Sequence, residues 1–301
     1  MVSNILKVRN VNDYGSYFGC PARHPLVCVI DYAEVSPIRH SLNNYGVYGI
    51  FLRDDTDVEL DYGLWQIRLQ RGHPPCAWLP DRWEARRTTA NGVAITGWAL
   101  LFHPDLLHGF PLERRIKEYS FFDYRVNEAL HMTAEEHDTL VSLMRQMRDE
   151  LGKKTDELQN RILVGYIELM LNFCQRFYNR QFLTRKIDNS DILVRFDRLL
   201  RDYFDEKLQL KLGLPTVQYC ADRLCMSANY FGDVIKKTTG ETASSHIRRF
   251  VIRLAKNGLA AGESVSQVSD RLGFEYPQHF SRMFRKMEGL TPSEYCRNLH
   301  S

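Results

Sequence analysis

The spacing of apolar residues changes partway along the chain. Between about residues 26 and 103 it falls into short runs rich in Val, Ile, Leu and aromatics, at 26–32, 46–52, 64–69 and 93–102. Turn-forming groups separate the runs: Ser36-Pro37, Asp54-Asp55, Gly72-His-Pro-Pro75 and Asn91-Gly92. Asn-Gly tolerates the positive φ of a tight hairpin. Short strands with frequent turns predict a sandwich or barrel rather than a parallel βαβ sheet.

Beyond residue 104 the period becomes helical. Thr133-Ala-Glu-Glu136 is a capping-box sequence, and Leu140, Leu143, Met144, Met147 and Leu151 form one stripe behind it, with Gly152 to end the helix. The next helix, 155–182, carries two stripes. One is Leu158, Ile162, Tyr166, Leu169, Met170, Phe173 and Phe177; the other is Leu163, Ile167, Leu171, Cys174 and Tyr178. A helix that is apolar on two faces buries both. One face suits the β domain; the other takes more of the same chain or a second subunit, with Leu163, Ile167, Leu171, Cys174 and Tyr178 as the candidate dimer face. The polar stretch 184–191 reads as a linker. Ile192, Phe196, Leu199, Leu200 and Tyr203 then open an all-helical region, and Leu214-Pro215 starts a further helix because Pro suits a first turn. The fold class is therefore α+β in two domains: 1–183 with strands at about 26–103 and helices at about 112–182, and 192–301, all-α.

Composition narrows the class. With 44% hydrophobic, 12% aromatic and 26% charged residues, the chain is neither disordered nor of low complexity, and 301 residues suit two domains. No run approaches the ~20 apolar residues of a membrane helix, and residues 1–10 lack a signal-peptide pattern. Seven cysteines without a C-x-x-C pair fit free thiols in a reducing cytoplasm. The net charge of +3 hides an asymmetry: residues 191–301 hold 17 Lys+Arg against 13 Asp+Glu, whereas 1–190 hold 23 against 24.

An internal repeat gives that basic surplus a place. Residues 230–237 align with 279–286, and at the same offset Phe231 matches Phe280, Lys237 Lys286, Gly240 Gly289, Thr242 Thr291 and Ser244 Ser293. Asp222-Arg-Leu224 matches Asp270-Arg-Leu272 one residue out of step. Such self-similarity means one supersecondary unit used twice. Each unit reads as helix, tight turn, helix, at about 215–237 and 265–287. Ser227 is the expected N-cap of the first unit's second helix, Gly273 permits the second turn, and Pro277 opens the helix after it. This is helix-turn-helix geometry, whose second helix fits the DNA major groove. The outward residues of the first such helix are Ala228, Asn229, Gly232, Asp233 and Lys236. Those of the second are Gln278, His279, Ser281, Arg282 and Arg285, with Tyr276 just before it. Asn and Gln pair with adenine and Arg with guanine, while Lys237 and Lys286 at the far ends suit phosphate. The helix expected at 245–261 spans ~25 Å, enough to hold two reading helices about one DNA turn apart.

Residues 191–301 resemble the AraC/XylS family of bacterial transcription regulators. Two blocks carry the resemblance: Met226-Ser-Ala-Asn-Tyr-Phe-Gly-Asp-Val-Ile-Lys-Lys-Thr-Thr-Gly240, and residues 265–295 with Gly273-Phe-Glu-Tyr-Pro-Gln-His-Phe-Ser-Arg-Met-Phe-Arg-Lys286 at their centre. The resemblance implies two helix-turn-helix subdomains that bind double-stranded promoter DNA. Gly232-Asp233 departs from the family's frequent Ser-Arg; an acidic side chain there repels phosphate or accepts from cytosine N4. The layout of the first domain is similar to the family's sensing arm, a cupin-like β-barrel followed by dimerising helices. His24-Pro-Leu-Val27, Gly46-Val-Tyr-Gly-Ile-Phe51 and Gly97-Trp-Ala-Leu-Leu-Phe-His-Pro-Asp-Leu-Leu107 carry that likeness. It implies a homodimer, a small-molecule effector and RNA polymerase as a further partner; the alternative is a first domain used only for dimerisation or partner contact.

Two enzyme readings compete. A metal cupin needs clustered ligands, but His40, His73, His103 and His108 are isolated and no His-x-His occurs. A sacrificial repair cysteine needs an activated thiol and a zinc cluster, which the wide spacing of Cys20, Cys28, Cys76 and Cys174 does not offer. No metal or cofactor is expected. Tyr48, Trp65, Arg68 and Trp98 (with Trp78) are candidate effector contacts inside the barrel, against plain core. Arg53, Arg68 and Arg71 are candidate anion anchors, against surface arginines.

Overall fold

The structure is a computed structural model that describes residues 5–35, 42–53, 59–62, 65–68, 75–77, 84–85, 96–124, 128–184 and 186–299. Asn91-Gly92, His40, His73, Arg71 and Trp78 lie outside them. The chain divides into two compact units, Met1–Gln181 and Phe182–Ser301.

The first unit contains the strands β1 (Ile5–Val8), β2 (Val27–Asp31), β3 (Leu42–Tyr45), β4 (Tyr48–Arg53), β5 (Glu59–Tyr62), β6 (Trp65–Arg68), β7 (Pro75–Ala77), β8 (Glu84–Ala85), β9 (Gly97–Phe102) and β10 (Leu130–His131). Its helices are α1 (Val11–Tyr17), α2 (Leu112–Arg115), α3 (Ala134–Leu151) and α4 (Gln159–Thr184), the last running three residues into the second unit. Among the described residues the strands pair in three separate sheets: β10-β7-β4-β9-β2 and β6-β5-β8, both antiparallel, and a parallel β1-β3 pair. Among the described residues these pairings show a small antiparallel sheet with satellites, and a closed barrel is not shown.

The five-stranded sheet holds the core. Every residue of β9 is buried, with Leu100 opposite Val29 on β2 and Ile50 on β4. Helix α1 closes one face: Val11, Tyr14 and Phe18 pack with Ile30, Phe51 and Leu101, and the Tyr14 and Tyr32 hydroxyls meet at 2.7 Å. Asn10 and Asp13 form a capping box at its start, a signal present in the sequence that the apolar pattern alone does not show. The box expected at Thr133 and Glu136 starts α3, and Gly152 caps its end.

Helix α4 corrects one expectation. Leu163, Ile167, Leu171, Cys174 and Tyr178, the candidate dimer face, are fully buried within this chain. Tyr178 stacks on Phe121 at 5.6 Å and meets Tyr124 edge-on at 5.1 Å, so the chain's own 120–124 segment covers part of the stripe. Leu158, Ile162 and Leu169, from the other stripe, are left to solvent, as is Leu183 near the helix end.

The second unit is helical: α5 (Lys186–Asp205), α6 (Gln209–Leu212), α7 (Val217–Arg223), α8 (Ala228–Thr239), α9 (Ala243–Ala260), α10 (Val265–Arg271), α11 (Pro277–Glu288) and α12 (Pro292–Leu299). The stretch 184–191, expected to be a linker, is helical on both sides of Arg185, with α4 ending at Thr184 and α5 beginning at Lys186. Its polar residues suit the solvent side of a helix as well as they suit a loop. Pro215 does not start α7. Thr216 does, because its hydroxyl accepts from Tyr219 N at 3.1 Å and places the first helical residue at Val217.

Candidate nucleic-acid interface

The repeat is a repeat of backbone geometry. In the first unit Leu224 N donates to Cys220 O, Cys225 N to Asp222 O at 3.0 Å and Met226 N to Ala221 O at 2.8 Å. In the second, Leu272 N donates to Val268 O, Gly273 N to Asp270 O at 3.0 Å and Phe274 N to Ser269 O at 3.1 Å. The two turns thus share a hydrogen-bond pattern, with Cys225 (φ 61°) and Gly273 (φ 80°) at the same left-handed position. Both second helices end alike. Gly240 and Gly289 take φ near 80° and donate to the carbonyls of Lys236 and Arg285, each at 2.9 Å. Thr242 and Thr291 then cap the next helix, their hydroxyls accepting from Ser245 N and Glu294 N, both at 3.2 Å.

Each second helix is held by buried aromatics. Phe231 is fully buried against Phe196 of α5 at 4.9 Å, and Phe280 and Phe284 are fully buried with Val251, Ile252, Ala255, Leu259, Val268 and Leu272. Ser227 caps α8 by accepting from Tyr230 N at 3.2 Å. Tyr276 precedes α11 without a side-chain cap; Pro277 opens that helix instead.

Anchoring one face commits the other to solvent. On α11, Gln278, His279, Arg282, Arg285 and Lys286 are exposed and Ser281 half-buried, with Tyr276 exposed at the helix start. Among the described residues Arg282 and Lys286 form no ion pair, and Arg285 lies close enough to Glu294 to help hold its carboxyl below the usual range, after the hydrogen bonds from Thr291. On α8, Asn229, Lys236 and Lys237 are exposed, while Ala228 and Asp233 are half-buried. Other cations nearby are committed: Arg249 pairs with Glu241, Lys256 with Glu288, and Arg253 lies over Phe250. Helix α9, 18 residues long, joins the units and spans ~27 Å at 1.5 Å per residue.

Residues 220–298 match the protein family described as a helix-turn-helix domain. This part of the chain is similar to a helix-turn-helix domain. The curated relatives are named as regulators. The uncharacterized transcriptional regulatory protein YesN of Bacillus subtilis is 31% identical over 117 residues, which are 37% of this chain and 30% of that protein. The uncharacterized HTH-type transcriptional regulator YijO of Escherichia coli is 25% identical over 229 residues, 76% of this chain and 72% of that one. The chain thus spans about a third of the length of YesN. Among solved structures, the DNA-binding domain of AdpA in complex with a target DNA is 22% identical with a TM-score of 0.30, covering 34% of this chain and 90% of that one. The helix-turn-helix match and the relatives' names support a DNA-binding transcription regulator.

The helix-turn-helix domain leaves the other candidates in the first unit. Tyr48 stacks on Phe102 at 5.1 Å and packs on Phe122, and burial pushes its phenol pKa up. Trp98 is buried opposite Leu52, four positions along β9 from Phe102, and its ring carries the Arg148 guanidinium at 4.7 Å. Trp65 and Arg68 belong to β6 of the other sheet. A different cleft is present, a cavity of about 170 Å³ beside β2. Arg23, Cys20, Cys28, Asp31 and Glu34 line it, with Arg148 from α3 bonded to Glu34 at 2.9 Å. No sequence motif marks it, because its residues come from segments more than a hundred positions apart. The histidines have local partners: His103 Nδ1 accepts from Asp105 N at 3.2 Å, and His108 meets Glu113 at 2.9 Å. Among the described residues no three His, Cys, Asp or Glu side chains are grouped as metal ligands, and no helix is long and apolar enough to cross a membrane.

Proposed function

We propose that the chain is a sequence-specific transcription regulator in which α8 and α11 enter successive major-groove segments of promoter DNA. The observation that carries the reading is the repeated turn geometry with an exposed Gln278, His279, Arg282, Arg285, Lys286 face on α11. Arg282 and Gln278 are the base-reading candidates, Tyr276, His279, Ser281, Arg285 and Lys286 their neighbours on the groove or backbone, and Ala228, Asn229, Asp233, Lys236 and Lys237 the weaker first-helix set. The first unit is the regulatory part of this proposal, a cytoplasmic sensor and pairing domain; its cleft beside β2, about 170 Å³, is below the ~300–1,000 Å³ of drug-sized pockets and suits only a very small effector.

The test is fluorescence anisotropy of the full chain on the duplex upstream of its own gene, against a scrambled duplex, across a salt series. Selective binding that weakens steeply with salt is expected. If genome-wide selection with the full chain enriches no sequence, the reading fails.

A further inference from the structure

Helix α9 is the covalent link between the two helix-turn-helix units, but it is not their sole connection. The segment from the end of α5 through α6 forms an elbow that touches both. Its first-unit side is fastened by Tyr203, whose hydroxyl donates to Gly213 O at 2.9 Å and whose ring meets Tyr219 of α7 edge-on at 5.1 Å. Lys207 turns the chain at φ 58°, and Leu208 N donates back to Tyr203 O at 3.1 Å.

The other side of the elbow is fastened to the second unit. Gln209 is buried, and its Nε2 donates to the carbonyl of Arg271, the last residue of α10, at 2.9 Å. The turn that follows comes against the Gln209 backbone itself: a Cβ built on Gly273 would stand 2.3 Å from Gln209 O and 2.8 Å from its carbonyl carbon. Phe204 and Leu214, which flank the elbow, pack on the second unit's core, and Phe204 stacks on Phe250 of α9 at 5.8 Å. Cys225, the counterpart of Gly273 in the first turn, is exposed and carries a side chain at the same backbone geometry. Glycine at the second turn is therefore required by the elbow's close approach as well as by φ.

We infer that this elbow fixes the register between α8 and α11, with Gln209 as its positioning residue, and so sets the spacing of the DNA segments the chain accepts. The inference rests on the DNA-reading assignment of those two helices. One helix is a hinge at each of its ends; a second, non-covalent tie between the same two bodies removes that freedom. One inserted base pair moves a groove segment by ~3.4 Å and rotates it by ~35°, which only a rigid pair of reading helices penalises.

The experiment uses the full chain and its Gln209→Met variant, which keeps the side chain's length and loses its donor. Three labelled duplexes are compared: one selected from a random library by the wild type, the same with one base pair inserted between the two footprinted segments, and one retaining a single segment. The wild type is expected to lose ~10-fold or more on insertion, as for a mispaired site. The variant is expected to lose less than ~3-fold on insertion while binding the single-segment duplex as the wild type does. Gln209→Ala, which also removes packing, is expected to flatten the spacing penalty further. An equal insertion penalty in wild type and Gln209→Met overturns the inference, as does uniform weakening on all three duplexes, the signature of a merely structural role. If the wild type enriches no duplex, the DNA reading and this inference fall together; a wild type that selects DNA yet tolerates insertion sinks this inference alone.

Discussion

In the first helix-turn-helix unit the chain passes between helices through Cys225 at φ 61°; in the second it passes through Gly273 at φ 80°. Around these points the hydrogen bonds are the same, and so are the buried Phe231 and Phe280, the left-handed glycines and the threonine caps. What differs is outside. Helix α8 presents Asn229, Asp233, Lys236 and Lys237; α11 presents Gln278, His279, Arg282, Arg285 and Lys286. The comparison separates two kinds of constraint. Positions that close a turn or fill the core are held in both copies, whereas positions facing solvent have diverged, and the second copy has gathered more of the positive charge.

The glycines test the first kind of constraint most severely. Gly273→Ala puts a methyl group against the Gln209 backbone at a left-handed φ. Left-handed geometry costs a side chain ~1–2 kcal/mol, and forced overpacking adds ~1–3, so a loss of about 3 kcal/mol is expected in urea unfolding. Gly289→Ala keeps the positive φ but meets open space, and its cost should stop at about 1–2 kcal/mol. Equal losses at the two positions would mean that backbone conformation alone, and not the elbow, requires Gly273.

The charged faces test the second kind. Arg282→Ala is expected to cost ~1–3 kcal/mol on the preferred duplex and to relax the preference at one base position, whereas Lys286→Ala should weaken every duplex alike and reduce the salt slope by ~1. Lys237→Ala, the same position in the first unit, gives the control. A salt slope that responds to Lys237 and not to Lys286 would reverse the assignment of the stronger electrostatic contact to α11.

Caps come next in size. Ser227→Ala removes the acceptor of Tyr230 N and should cost about 1 kcal/mol. Tyr276 makes no capping bond, so Tyr276→Ala should stay within ~0.5 kcal/mol in stability while altering DNA affinity. A large stability loss at Tyr276 would show that its edge contact with His279, at 5.5 Å, holds the helix start.

Much of the second unit was legible because its signals are local. Ser227, Pro277, Gly240 and Gly289 each follow from the φ or the hydrogen bond that one position needs, and repetition doubled every signal. The rest depends on residues far apart. Gln209 and Arg271 meet across 62 positions, and nothing in the four residues of α6 announces that contact. The buried stripe of α4 was legible as apolar; that Phe121 and Tyr124, rather than a second subunit, lie against Tyr178 was not. Polar residues at 184–191 suggested a loop, whereas α4 runs to Thr184 and α5 begins at Lys186, because a helix can have the same polar composition as a loop. In the first unit, aromatic residues at strand spacing suggested one lined interior, but the register sends Tyr48 and Trp98 to different ends of the β4–β9 pair and puts Trp65 on another sheet.

The smallest effect returns to the turns. Cys225 holds a left-handed φ that Gly273 holds without strain, so Cys225→Gly should relieve part of the ~1–2 kcal/mol that a side chain incurs there. Glycine's greater freedom in the unfolded chain takes back ~0.5–1 kcal/mol, leaving a gain of about 0.5 kcal/mol and a rise of ~2–4 °C in the unfolding midpoint of this unit. Thiol chemistry reports on the same site. Cys225 is exposed, whereas Cys220, five residues earlier, is buried with its thiol pKa pushed up to about 12, which keeps it protonated at pH 8. Alkylation at pH 8 should therefore mark Cys225 early and Cys220 only on unfolding, and the Cys225→Gly variant should lose the early label while becoming slightly more stable. A destabilised variant would mean that the Cys225 side chain makes contacts worth more than the strain it carries, and that the first turn has been rebuilt around its cysteine rather than merely tolerating it.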